Sequence, residues 1–174
     1  MDCEYCEIVR GKEGVLKIYE DDTVIAVLSE KGAVPGQVTV FTKEHYPIIE
    51  VVPDTVMTAL FQQASLLTMS IFDAFQAQGT NALLHNGVPA GQLVPHVSVV
   101  LIPRKEKDGL DFSWKPKPAT PGDLEKTVSA LKNEMSAITT PKPVPVQPAV
   151  VVTPPEKVDG GNNNYLLKQL QRVP

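Results

Sequence analysis

The chain has 174 residues, 43% of them hydrophobic, which suffices for one ordinary domain with a sizeable core and a tail. A formal net charge of -4 leaves no excess of cations for a phosphate backbone or an anionic membrane, so nucleic acid is not expected as the main partner. The sequence has no run of about 18 apolar residues and no basic-then-apolar N-terminal stretch of the signal-peptide kind, which predicts a cytoplasmic protein without membrane contact.

The two cysteines, Cys3 and Cys6, stand first in chain order. In a reducing compartment a C-x-x-C pair is suited to metal binding or redox chemistry rather than to stapling a fold. Residues 16–20 and 23–28 are β-prone runs on either side of Asp21-Asp22, an acidic pair suited to a tight turn, and read as a hairpin. Residues 37–42 alternate Val38 and Val40 with Thr39 behind the turn Pro35-Gly36, which adds a third strand and makes an antiparallel meander. After Pro53, with Asp54 placed to cap, apolar residues recur at Met57, Leu60, Phe61, Ala64, Leu67, Ile71 and Phe75 until Gly79. That period predicts one long amphipathic helix. Residues 82–85 and 97–102 read as two further strands joined by the Gly- and Pro-rich loop 86–92.

A first domain is expected to span residues 1–114. Residues 115–140 form a helical extension in which Leu124, Val128, Leu131 and Met135 lie at helical spacing over residues 123–138, a helix expected to dock back on the domain. Residues 141–163 alternate proline and valine and read as a semi-rigid polyproline linker. Residues 164–174 place Leu166, Leu167, Leu170 and Val173 on one face of a short helix. Two readings stand for it: folding back on its own domain or a dimer partner, or recognition of a separate protein.

The most specific stretch is Asn86-Gly87-Val88-Pro89-Ala90-Gly91-Gln92-Leu93-Val94-Pro95-His96-Val97-Ser98-Val99-Val100-Leu101-Ile102-Pro103-Arg104. It resembles the signature of the histidine triad (HIT) family, in which a glycine-rich loop ending Ala-Gly-Gln leads into a strand with His-x-His-x-His and closes on Ile-Pro-Arg. Upstream, Val34-Pro35-Gly36, the following strand and Lys43-Glu44-His45-Tyr46 resemble the family's Pro-Gly-His, strand, Pro-Lys-x-His-Tyr segment. Cys3-Glu4-Tyr5-Cys6-Glu7-Ile8-Val9 resembles the N-terminus of the zinc-containing branch. The resemblance implies an α+β fold, an antiparallel sheet with one long packed helix, and a homodimer. It also implies a middle histidine that attacks an α-phosphate and forms a nucleotidyl-enzyme intermediate, a covalent route that divides one displacement into two.

Against that pattern His96 stands at the first triad histidine, Ser98 at the middle one and Val100 at the last, so the triad is degenerate. A serine hydroxyl needs a base to take its proton, and the only candidate on its face, His96, lies about 6 to 7 Å along the strand. Ser29 replaces the family's ribose-binding aspartate, Gln37 the histidine of Pro-Gly-His, His85 a loop asparagine and Leu93 a serine or threonine. Gly91, Gln92 and Ser29 are left as nucleotide-contact candidates, with a serine unable to match the two bonds a carboxylate gives the ribose hydroxyls. The loop 87–92 could still offer N–H groups to an anion. On the resemblance, Cys3, Cys6, His45 and His96 supply two thiolates and two imidazoles, the ligand set of a closed structural zinc site. The expected function is therefore a non-catalytic, zinc-stabilised binding or scaffold module. The alternatives are a nucleotidyl hydrolase or transferase with an altered site and a nucleotide sensor without turnover.

Overall fold

The computed structural model describes residues 3–137, so the linker 141–163 and the short helix 164–174 expected from sequence lie outside the described residues. The chain divides into two compact units, Met1–Trp114 and Lys115–Pro174. In the first, the elements run α1 Glu4–Val9, β1 Lys17–Glu20, β2 Val24–Leu28, β3 Val38–Thr42, α2 Asp54–Phe75, β4 Gly79–Leu84 and β5 Ser98–Arg104. The strands form one sheet in the order β1-β2-β3-β5-β4, every neighbouring pair antiparallel. The expected α+β architecture, an antiparallel sheet with one long helix on it, is what the chain adopts.

Strand alternation divides the core into two layers. Val24 and Ala26 of β2, Val38 and Val40 of β3, and Val97, Val99 and Leu101 at β5 pack against Leu60, Ala64, Leu67 and Ile71 of α2. These four helical residues recur at intervals of four, three and four, which keeps one stripe of α2 on the sheet. Among the described residues α2 is the one helix long and apolar enough to cross a membrane, and here it is the core helix. Ile25, Val27 and Phe41 point to the other face, where Ile8 of α1 packs on them beside Tyr5 and Val9. With a helix on each face, β2 and β3 are buried at nearly every position, as expected of doubly covered strands.

Four boundaries differ from the sequence expectation. α2 ends at Phe75 because Gln76 takes the left-handed conformation, φ 51°, and its N–H closes on the Phe72 carbonyl. Gly79, expected to stop the helix, instead opens β4, which starts three residues before the predicted strand. Asp54 is the first residue of α2 and Pro53 the cap position. α1 was not anticipated: six residues carry too little periodicity to announce a helix, and its single buried residue, Ile8, matters only once the sheet lies beneath it. The second unit contributes α3, Pro121–Ala137.

Candidate metal centre and the adjoining sheet face

α1 places Cys3 at its N-cap position and Cys6 in its first turn, while His45 follows the end of β3 and His96 precedes β5. The four side chains meet: one ligand atom from each lies within 4.8 Å of every other. Cys3 Sγ is 3.4 Å and Cys6 Sγ 3.7 Å from His96 Nδ1, and Cys6 Sγ is 3.3 Å from His45 Nδ1. Around a tetrahedral zinc, with Zn–S near 2.3 Å and Zn–N near 2.0 Å, sulfur and nitrogen ligands stand about 3.6 Å apart, so the observed spacing suits that ion.

The state of His96 follows from its neighbours. Thr42 Oγ1 donates its proton to the Glu44 carbonyl at 2.8 Å, so toward His96 Nε2, 3.1 Å away, it can only accept. The Thr42 carbonyl, 2.7 Å from the same nitrogen, can also only accept. Nε2 therefore carries the proton, and Nδ1 turns its lone pair toward the thiols. Burial pushes the imidazole below its ordinary pKa and His45 adds to that, against the pull of the Thr42 carbonyl, so the ring is held neutral. A neutral imidazole fixed by a backbone carbonyl behind it is the form a metal ligand needs. Burial, and then the neighbouring Cys3, raise the Cys6 thiol above its usual range, a penalty on the free thiolate that a bound cation would relieve. Cys3 and His96 are buried, Cys6 half-buried and His45 exposed, so the centre sits at the edge of the core with one side near solvent.

Beyond this cluster, Ser98 and Val100 alternate with Val99 and Leu101 and so lie on the α1 side of the sheet, opposite Phe41 and Thr39 of β3. Sequence reasoning missed what covers them. Tyr5 stacks on Phe41, ring centroids 4.4 Å apart, meets the His96 ring edge-on at 5.7 Å, and brings its phenol into electrostatic reach of Ser98. Burial raises the Tyr5 phenol, which keeps it neutral. A tyrosine between two cysteines was the available signal, but its partner lies 93 positions away and becomes visible only in the folded sheet.

The expected nucleotide contacts are distributed otherwise. The Ser29 hydroxyl lies 3.3 Å from that of Thr39 and accepts from Gln37 Nε2 at 3.4 Å, while Gln37 Oε1 accepts from the Ala33 N–H. Both amide hydrogens of Gln92 are used inside the protein, on the Pro47 and Val94 carbonyls, and its oxygen accepts from the Gly87 N–H. Gly87 and Gly91 both have φ of 88°, where a side chain would be strained, and the N–H groups of Ala90, Gly91 and Gln92 donate within the loop. His85 braces that loop by donating Nδ1–H to the Ala90 carbonyl, and Leu93 is exposed. On the same side of the sheet a cleft of about 550 Å³ opens between α1 and the sheet, with Tyr5, Ile8, Val27, Ser29, Lys31 and Thr39 among its walls.

The HIT domain family model matches residues 12–107, more than half of the chain. Adenylylsulfatase HINT3 of Arabidopsis thaliana is 37% identical over 109 residues, spanning 63% of this chain and 55% of that protein, so the chain covers about half the length of this relative. A crystal structure of a HIT family member from Bacillus subtilis superposes with a TM-score of 0.71 at 31% identity, covering 76% of this chain and 96% of that one. A zinc-bound histidine triad family protein from Mycobacterium smegmatis superposes with a TM-score of 0.61 at 25% identity, covering 79% and 98% respectively.

Proposed function

The chain belongs to the HIT domain family, and from that premise we propose that it is a non-catalytic, zinc-stabilised member serving as a binding or scaffold module. One observation carries this reading: both nitrogens of His96 are committed, Nε2–H to Thr42 and Nδ1 to the thiol cluster. Ser98 at the nucleophile position then has no base, since the neighbouring Tyr5 is a phenol that burial raises further and that takes no proton at neutral pH. The internal use of Gln92 and of the loop N–H groups supports the same reading, since a phosphate would have to displace bonds already made.

Cys3, Cys6, His45 and His96 would hold the zinc, and the zinc-bound histidine triad protein from Mycobacterium smegmatis supports the assignment. Bound there, the ion would supply structure rather than a Lewis acid, because four protein ligands close the tetrahedron. The wider proposal is a cytoplasmic homodimer with residues 1–114 as the HIT-like domain, 115–140 as a helical extension and 141–163 as a linker that presents residues 164–174 to a protein partner. The outer edge of β4, unpaired among the described residues, and the exposed Leu66 and Met69 on α2 are suited to a second copy.

A second reading, an altered nucleotidyl hydrolase or a sensor that binds without turnover, is favoured by the cleft beside Ser29 and Thr39 and by the name of the Arabidopsis relative. The two separate on incubation with adenosine phosphoramidate and dinucleoside polyphosphates, following nucleotide release and binding for the natural chain and for Ser98→Ala. No release from either is expected. Turnover by the natural chain that disappears in Ser98→Ala would overturn the non-catalytic reading, and saturable nucleotide binding without release would favour the sensor.

A further inference from the structure

Among the described residues of its own unit, α3 is a well-formed helix without a partner. Thr120 starts it by accepting the Asp123 N–H at 3.3 Å and donating its hydroxyl to the Asp123 carboxylate at 2.6 Å. Leu124, Val128, Leu131 and Met135 follow at intervals of four, three and four, all exposed, and α3 is the one helix or strand among the described residues of its unit. A 17-residue helix is marginal in water unless its apolar face is covered. The seam keeps the 3.5-residue repeat that suits packing against another helix.

The charges beside the seam select the occupant. Glu125 and Lys132 each follow a seam residue and lie seven apart, on one flank, whereas Thr127 and Glu134 occupy the other. Two copies laid antiparallel, Leu124 against Met135 and Val128 against Leu131, set Glu125 of each opposite Lys132 of the other, twice, with Thr127 facing Glu134. A parallel pair sets Lys132 beside Thr127 and makes no ion pair. Both antiparallel bridges come from a single sequence read in two directions, the self-complementarity that a two-fold interface demands. We infer that α3 is a self-association helix whose partner is α3 of a second copy of this chain, packed antiparallel through Leu124, Val128, Leu131 and Met135.

This inference is independent of whether the HIT-like domain is catalytic or holds zinc. The test mixes full-length protein with its ¹⁵N-labelled form and applies a zero-length carbodiimide, which joins only a lysine and a carboxylate already in contact. The expected product is a Glu125–Lys132 cross-link of mixed isotope composition. Lys17 and Glu20, 2.9 Å apart, provide the internal control that the reagent has acted. Lys132→Glu should lower the mixed-isotope yield about tenfold by replacing two attractions with two repulsions. The doubly exchanged variant, Glu125→Lys with Lys132→Glu, should restore a cross-link between the exchanged positions. With the control positive, three results would each overturn the proposal. One is no mixed-isotope product; another is cross-links running only from α3 into residues 3–114; the third is no rescue in the exchanged variant.

Discussion

His96 illustrates how a single residue acquires its role from what surrounds it. Its ring is buried, yet each of its polar atoms is answered, so burial brings no unsatisfied group: Nε2–H is shared between two oxygens of Thr42, and Nδ1 faces two sulfurs. If those sulfurs hold zinc, Cys3→Ser replaces a soft thiolate with a hydroxyl that is a poor zinc ligand. Protein purified without chelator should then fall from about one zinc per chain to a small fraction of that, measured by plasma mass spectrometry. Equal and substantial metal in both proteins would contradict the ligand assignment.

Asp108 offers a second test at this scale, away from the metal. The Arg104 guanidinium, and then the N–H groups of Leu110 and Lys105, hold its carboxyl well below the usual carboxylate range. A depressed folded-state pKa contributes stability that is present above the unfolded value of about 4 and lost as pH falls through the folded value. Asp108→Asn should therefore lower Tm at neutral pH. The gap from the natural chain should close progressively below about pH 4 in a pH series of melts. A gap that stays constant down to pH 2 would assign the loss to packing instead.

Among the elements, α2 was the most legible. Its apolar residues recur at helical spacing for six turns, and the stripe the sequence nominates includes Leu60, Ala64, Leu67 and Ile71, the four that are buried. Leu60→Ala should cost about 2 to 5 kcal/mol in urea unfolding, because the side chain is fully enclosed and its neighbours on the sheet can collapse only in part. Gln62→Ala, on the exposed face, should cost no more than about 0.5 kcal/mol. The two ends of the next connection were read less well. A single left-handed residue, Gln76, stops the helix where glycine would ordinarily be expected, leaving Gly79 free to enter β4. α1 was invisible for the opposite reason: its helix is stabilised by the sheet beneath Ile8 rather than by its own periodicity.

At the scale of the first unit, α1 is tied to the sheet by the thiol–imidazole cluster at one end and by the Tyr5–Phe41 stack and Ile8 along its length. Zinc bound only by the folded form would add RT ln(1 + [L]/Kd), about 2.7 kcal/mol at a hundredfold excess over Kd. Chelation should therefore lower Tm. In hydrogen exchange it should release residues 4–9 first and leave the amides of α2 and β5 protected, because α2 packs on the opposite face of the sheet and β5 is paired on both sides, with β3 and β4. Uniform loss of protection across the sheet would mean that the metal anchors the whole domain and not only its N-terminal helix.

Local sequence carried a good deal of this protein: the meander of three strands, the long helix, the glycine loop and the strand after it. Those features depend on spacing along the chain, 2.0 for a strand and 3.6 for a helix, which can be read without knowing what lies opposite. The ligand set could be nominated only because the motif resembled a family that has one, since Cys3 and His96 are 93 positions apart. What the tertiary structure alone decided is the set of engagements among residues distant in sequence. The proton of His96 was assigned by Thr42, the ring of Tyr5 was brought onto Phe41 and His96, and the amide hydrogens of Gln92 were used on Pro47 and Val94. Each depends on which groups the sheet register and the placement of α1 bring within reach, and no local periodicity encodes that.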